Sequence, residues 1–240
     1  MLLLPNGILI VEIVIMMITS TQDLMSVVDD IDSLGCLYRG ESNYNYQLKP
    51  SLARYTEIAE KREYSLEEHE RSVLQIFKSE LPQYYNQHIT NKFEYLAMAQ
   101  HHGLPTRLLD WTLSPLVALY FAVNNLKDTD AALYQFNTDS SVLWKDDGSI
   151  SDSDESSGEV FVYHPRHITP RLKNQQGVFT YHNNFTDEYR PSGIKKYRIP
   201  VDRIPSIKWQ LMKLGITDKV VYGDLDALCS TLTFSHFEGF

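Results

Sequence analysis

Cysteine is scarce in this 240-residue chain: Cys36 and Cys229 are the two it has, far apart and in no metal-like spacing. That excludes a disulfide framework and suits a reducing, cytoplasmic compartment. Positive charge is short as well, with 22 Lys and Arg against 31 Asp and Glu and a net charge of −9. Proteins that coat nucleic acid present concentrated positive charge to phosphates, so this balance carries no strong nucleic-acid signal. A long uninterrupted apolar run is missing too. The N-terminal MLLLPNGILIVEIVIMMI is broken by Pro5, Asn6 and Gly7, holds Glu12, and has no Lys or Arg ahead of it, which makes a poor signal peptide. Its continuous part, Ile8 to Ile18, falls short of the roughly 20 residues a spanning helix requires. Residues 1–19 read as a buried or edge strand, or as leader sequence ahead of a start at Met16 or Met17, and no membrane partner is expected. Eight histidines lack ligand spacing, since only His101 and His102 adjoin and neighbours on a helix point apart, so no metal is expected. No internal repeat is visible.

What is present fits one domain. A 43% hydrophobic content over this length can bury one substantial core with a smaller helical subdomain, and not two full-sized domains. Helices and strands alternate. Ser20 or Thr21 can cap a helix carrying Leu24, Val27, Val28 and Ile31 and ended by Gly35, before the strand Cys36 to Arg39 and a turn at Gly40. Ser65 to Glu68 has capping-box form and opens a helix within a helical segment at about residues 56–91. Strands are expected over Ala131 to Phe136, Glu159 to His164, Val178 to Tyr181, Lys195 to Val201 and Val220 to Tyr222, with a helix from Ile207 to Leu214. The Ser, Asp and Gly of residues 138–158 read as a solvated acidic loop.

The richest stretch is FEYLAMAQHHGLPTRLLDWTLSPLVALYFAVNN. Phe93, Leu96, Ala97 and Ala99 recur at helical spacing, with Gly103 placed as a C′ residue. Ser114 and Pro115 form an N-cap and N1 pair for a helix that is apolar nearly all round. Between them Leu108 and Leu109 suit a short buried strand flanked by Arg107, Asp110, Trp111 and Thr112, and such junctions favour ligands. These residues also have structural uses. Asp110 is a natural partner for Arg107, Trp111 for the core, Ser114 for a cap, and His101 and His102 as cations for a helix C-terminus.

Taken in order, LYRGESNYNYQLKPSLAR, the block around Asp110-Trp111-Thr112, PRLKNQQGVFTYH and VVYGDLDAL resemble the signature blocks of the FRG domain family. The family takes its name from a Phe/Tyr-Arg-Gly signature, here Tyr38-Arg39-Gly40, and the resemblance runs from about Thr21 to Leu228, making 20–240 a single FRG domain. FRG domains occur in bacterial and phage proteins, some linked to toxin or phage-defence contexts. A more distant similarity is to the Arg-Ser-Glu class of ADP-ribosyltransferases, through an Arg on an early strand and Thr112, Ser114, Ala118, Phe121 and Ala122. It implies an α+β fold with an ADP-ribosyltransferase-like mixed sheet and NAD as substrate, with a macromolecular ADP-ribose acceptor and a cognate inhibitor as further partners.

By that resemblance Arg39 takes the first position and Thr112 the second, with Tyr38, Gly40, Trp111 and Ser114 beside the bound dinucleotide. The third falls on Asn174-Gln175-Gln176, where the transferase pattern has a glutamate. Gln176 is a neutral amide, and it stabilises a developing cation less than a carboxylate does. Another acid is then needed, Asp110 first, then Asp224 and Asp226. Two other classes fit the same residues: a metal-dependent nucleic-acid or nucleotide hydrolase using Asp110 with Asp224 or Asp226, and a catalytically silent binding module.

Overall fold

The computed structural model describes residues 16–29, 35–86, 89, 91–125, 128–138, 142–146, 149–151, 154, 157–166 and 169–238. It is a mixed α+β structure around one seven-stranded sheet in the order β4-β5-β6-β2-β1-β3-β7. The strands are β1 (Cys36–Glu41), β2 (Leu108–Thr112), β3 (Ala131–Asn137), β4 (Trp144–Lys145), β5 (Phe161–Tyr163), β6 (Gly177–Tyr181) and β7 (Ile194–Ile199). All neighbours run antiparallel except β4 and β5.

The centre of the sheet is where the pairing thins. β1 pairs with β3 over six residues, from Cys36↔Asn137 to Glu41↔Ala132, yet it meets β2 at a single register position, Tyr38↔Thr112. Beyond that point β1 and β2 part. The sheet is therefore two half-sheets, β4-β5-β6-β2 and β1-β3-β7, joined by one short contact.

Helices cover one face of both halves. The helix α5 (Pro115–Asn124) lies on β1 and β3, with Ala118, Leu119, Tyr120, Ala122 and Val123 buried among residues of α1 (Thr21–Asp29) and α7 (Ile204–Lys213). Its apolar composition all round follows from this central position. On the other half, α4 (Lys92–His101) and α3 (Leu66–Glu80) pack Phe93, Leu96 and Leu74 on Leu108, Phe161, Phe179 and Tyr181. Leu37, Leu109, Trp111, Tyr134 and Phe136 form the core of the opposite face. The shorter helices α2 (Thr56–Lys61), α6 (Pro170–Asn174), α8 (Asp218–Tyr222) and α9 (Leu225–Thr233) are also among the described residues.

The capping signals perform as expected. Ser65 accepts from the Glu68 amide, Ser114 accepts from the Val117 amide, and Gly103 follows α4 in the left-handed region at φ +89°. Ser20 accepts from the Asp23 amide at the start of α1, whose expected continuation to Ile31 lies outside the described residues. The segment Met16–Ile18 is extended and pairs with the β7 edge through Arg198, and Ile18 is fully buried. Residues 1–15 lie outside the described ones. No helix among the described residues is long and apolar enough to cross a membrane.

Three local expectations are corrected. Gly40 is not in a turn; it lies within β1, opposite Leu133, and its missing side chain serves packing. Val220 to Tyr222 is not a strand but the end of α8, because Thr217 accepts from the Val220 amide at one end and Gly223, at φ +76°, closes the other. The valines mimic a strand, but local capping decides. The acidic loop holds a piece of sheet: Trp144 and Lys145 pair with Val162 and Tyr163, and the Trp144 indole N–H donates to Thr138 at 3.0 Å.

A buried polar chain runs along the face that carries Leu109 and Trp111. The Trp111 indole donates to Thr180 Oγ1 at 2.9 Å, and Thr180 Oγ1 lies 2.8 Å from His182 Nε2. His182 stacks edge-on to Tyr189, is 2% exposed, and burial pushes its pKa down from 6.5 to about 3. It is thus neutral in the fold and takes up a proton below pH 6.5 only when unfolded. The stability from keeping it neutral is present above pH 6.5 and is lost as pH falls toward 3, at up to about 1.4 kcal/mol per unit. In urea titrations between pH 7 and about 5, where carboxylates stay ionised, His182→Gln should show a flatter dependence than wild type. Parallel curves for the two proteins would refute this assignment.

Candidate functional site

Where β1 and β2 part, a cleft of about 410 Å³ opens between these strands, β6, the C-terminal end of α4, and α5 and α6. That volume is in the range of small-molecule sites. Alternation along β1 sends Tyr38 and Gly40 to the helix-covered face and Arg39 and Glu41 to the other, and all four line the cleft.

Arg39 bridges the gap. Its Nη1 donates to the Asp110 carbonyl at 2.7 Å and lies 3.5 Å from the Asp110 carboxylate, while its Nε and Nη2 reach Glu41 Oε1 at 2.8 and 2.7 Å. Burial works against its charge, but Glu41 and then Asp110 outweigh it and raise its pKa, so the guanidinium is permanently charged. Every nitrogen of Arg39 is engaged. Of the two acids, Glu41 is enclosed, with a side chain 14% exposed, whereas that of Asp110 is 56% exposed.

Thr112 is also fully occupied. Its hydroxyl donates to the Gln175 carbonyl at 2.6 Å and accepts from the Ser114 amide at 3.0 Å, tying the end of β2 to the turn that enters β6 and to the start of α5. It holds the cleft wall rather than offering a free hydroxyl. Tyr38 lines the cleft as a phenol, since burial, then Cys36 and Tyr197, push its pKa up to about 12. Trp111 reaches the lining, but it is 3% exposed and its ring packs on Phe136 in the core. Ser114 does not line the cleft; its hydroxyl caps α5. Gln176 is off the lining and exposed, in the left-handed region at φ +46°, with its carbonyl accepting from the Leu113 amide. Its neighbour Gln175 lines the cleft.

Several pairings differ from expectation. Arg107 does not pair with Asp110; it pairs with buried Glu70, Nε to Oε2 at 2.6 Å, across 37 residues. Asp110 is instead an Arg39 partner. His101 is not a cation at the helix end: burial first, then Arg171 and His102, hold its pKa down at about 4, so it faces the cleft as a neutral ring. Asp224 accepts from the Ala227 amide as the N-cap of α9, and neither Asp224 nor Asp226 lines the cleft. Among the described residues no group of three or more His, Cys, Asp or Glu is placed to hold a metal ion.

Glu41, Arg54, His101 and Arg171 line the cleft and three of them went unsingled in the sequence. Glu41 had a usable signal: two residues after Arg39 on a strand, it must share its face. Arg54 and Arg171 had none, because their place depends on where the segment around Ser51–Tyr55 and α6 dock.

The fold and cleft define an α+β protein with a ligand-sized, mixed-charge cavity at the split of an antiparallel sheet. Residues 35–131 match the family model of the FRG domain, so the chain carries an FRG domain. The matched stretch contains Arg39, Glu41, Asp110 and all of α5, and ends where β3 begins. No curated protein and no solved structure matched the chain.

Proposed function

We propose that this FRG domain protein handles NAD on an ADP-ribosyltransferase-like core, either transferring ADP-ribose to a macromolecular acceptor or hydrolysing NAD. We take residues 20–240 as the working unit, since β3 to β7 complete the sheet that the matched stretch begins. The observation that carries the reading is the convergence of Arg39, Glu41 and Asp110 at one cleft of about 410 Å³. NAD combines a pyrophosphate with a cationic ring, and a cleft lined by both arginines and carboxylates complements both parts.

The chemistry asks for a carboxylate. When the bond between ribose C1′ and the nicotinamide nitrogen breaks, the electron pair leaves with neutral nicotinamide and positive charge grows on the ribose. A fixed carboxylate opposite that charge lowers the barrier, and water or an acceptor nucleophile then bonds to C1′ and gives up its proton. In this reading Glu41 and Asp110 supply the charge that Gln176 lacks. Thr112 and Trp111 hold the wall, and Tyr38 and Gly40 bound it. A toxin or phage-defence context, with a cognate inhibitor, is part of the same proposal.

Purified protein incubated with NAD should release nicotinamide, and NAD should raise its melting temperature. Arg39→Ala should remove both effects, and Arg39→Lys most of them, because a point charge cannot hold Glu41 and Asp110 together. Gln176→Ala should stay within about twofold of wild type, as expected of an exposed residue away from the cleft. Folded wild-type protein with neither turnover nor an NAD-dependent shift would refute the proposal.

A further inference from the structure

The charge of Arg39 is already matched by Glu41 and Asp110, whereas a second arginine in the same cleft has no such partner among the described residues. Arg171, on α6, lines the cavity, and its Nε is buried with no hydrogen-bond partner. Among the described residues it makes no ion pair. A buried guanidinium N–H left unsatisfied is costly, so such a group calls for a water, an ion or a ligand to complete it.

The side chain is also held in place. Its guanidinium lies over the Tyr222 ring, 4.6 Å from the centroid, and Tyr222 in turn packs edge-on against Phe121 and Tyr120. Tyr120 is fixed by donating to Asp218 at 2.7 Å. This stack presets the guanidinium plane, so little side-chain freedom remains to be lost on binding. Arg54, exposed and likewise without an ion pair among the described residues, lines the same cleft. The neutral His101 ring beside Arg171 adds no competing carboxylate.

We infer that Arg171, supported by Arg54, forms a phosphate subsite of the cleft, separate from Arg39, that takes the phosphate groups of a nucleotide. Phosphate binding stands on these contacts alone; that the nucleotide is NAD rests on the reading above. A pyrophosphate presents paired oxygens, which the guanidinium fork meets with two charge-assisted hydrogen bonds.

Isothermal titration of the full chain with inorganic pyrophosphate at low ionic strength tests this. Wild type should bind saturably, Arg171→Met should bind at least about tenfold more weakly, and Arg190→Met, which removes the same charge from an exposed pair with Glu188, should match wild type. No saturable binding by wild type, or equal losses in the two variants, would overturn the subsite. Should Arg171→Met fail to fold, hydrogen exchange on wild type serves instead: pyrophosphate should slow exchange over Pro170–Asn174, and unchanged exchange there counts against the subsite. Arg171-dependent pyrophosphate binding without nicotinamide release would keep the subsite and remove the NAD reading. Nicotinamide release with an unaltered KM in Arg171→Met would do the reverse.

Discussion

Gly40→Ala should give little or no soluble, folded protein. A Cβ at residue 40 would lie 1.9 Å from the Ala118 carbonyl oxygen and 2.5 Å from the Ala122 amide nitrogen, both backbone atoms of α5. Side chains at the far end of a flexible stem can move aside, but a helix backbone cannot without taking its whole buried face along. α5 is packed against β1, β3 and α7 through fully buried Ala118, Leu119, Ala122 and Val123, so a shift of the needed size would open the largest core cluster. Overpacking alone costs about 1–3 kcal/mol, and this clash with fixed atoms should exceed that, a large part of the roughly 5–15 kcal/mol that holds a domain folded. Gly177→Ala is the informative comparison. Its Cβ would meet Leu172 Cδ2 at 3.3 Å, a side-chain tip that can yield, and a loss below about 1 kcal/mol is expected. Urea unfolding of both variants decides it, and a Gly40→Ala protein with near-native stability would mean that α5 does not sit this close to β1.

What could be read from the sequence was what neighbours in the chain decide. Ser65, Ser114 and Gly103 mark helix ends through bonds made within a few residues, and the structure uses all three that way. Gly40 shows the limit: the sequence registers that a glycine is wanted, but a turn and a close helix crossing make the same demand. Arg107 shows it again, since Asp110 is near in sequence while the real partner, Glu70, arrives on a helix 37 residues earlier. The candidate site was half legible. Arg39 and Asp110 do meet, but the single register position joining β1 to β2, which makes the cleft, is a property of pairing that no local pattern encodes. Thr112 lines the cleft, although its hydroxyl serves the wall, and Gln176 is one residue from the Gln175 that lines it.

Glu41→Gln should lower the rate of nicotinamide release by about 100-fold or more, the scale on which a charge-stabilising group in an enclosed site acts. Both carboxylates that hold Arg39 could face a developing cation, and exposure ranks them. The Asp110 side chain is 56% exposed and screened by water, whereas Glu41 is 14% exposed and acts through a medium of lower effective dielectric. Asp110→Asn should therefore cost less than Glu41→Gln. The competing role for Glu41 is simply to neutralise Arg39, and the kinetics separate the two. Gln keeps the shape of Glu and an oxygen for the Arg39 Nε and Nη2 to donate to, so the cleft geometry survives while one negative charge is removed. If the charge acts on the ribose, kcat falls while KM moves little, because the interaction matters chiefly in the transition state. If it only balances Arg39, the melting temperature drops, kcat per folded molecule holds, and binding of anionic ligands tightens as the arginine is freed. An unchanged kcat in folded Glu41→Gln protein would leave Asp110 as the acid and reduce Glu41 to the anchor of the arginine beside it.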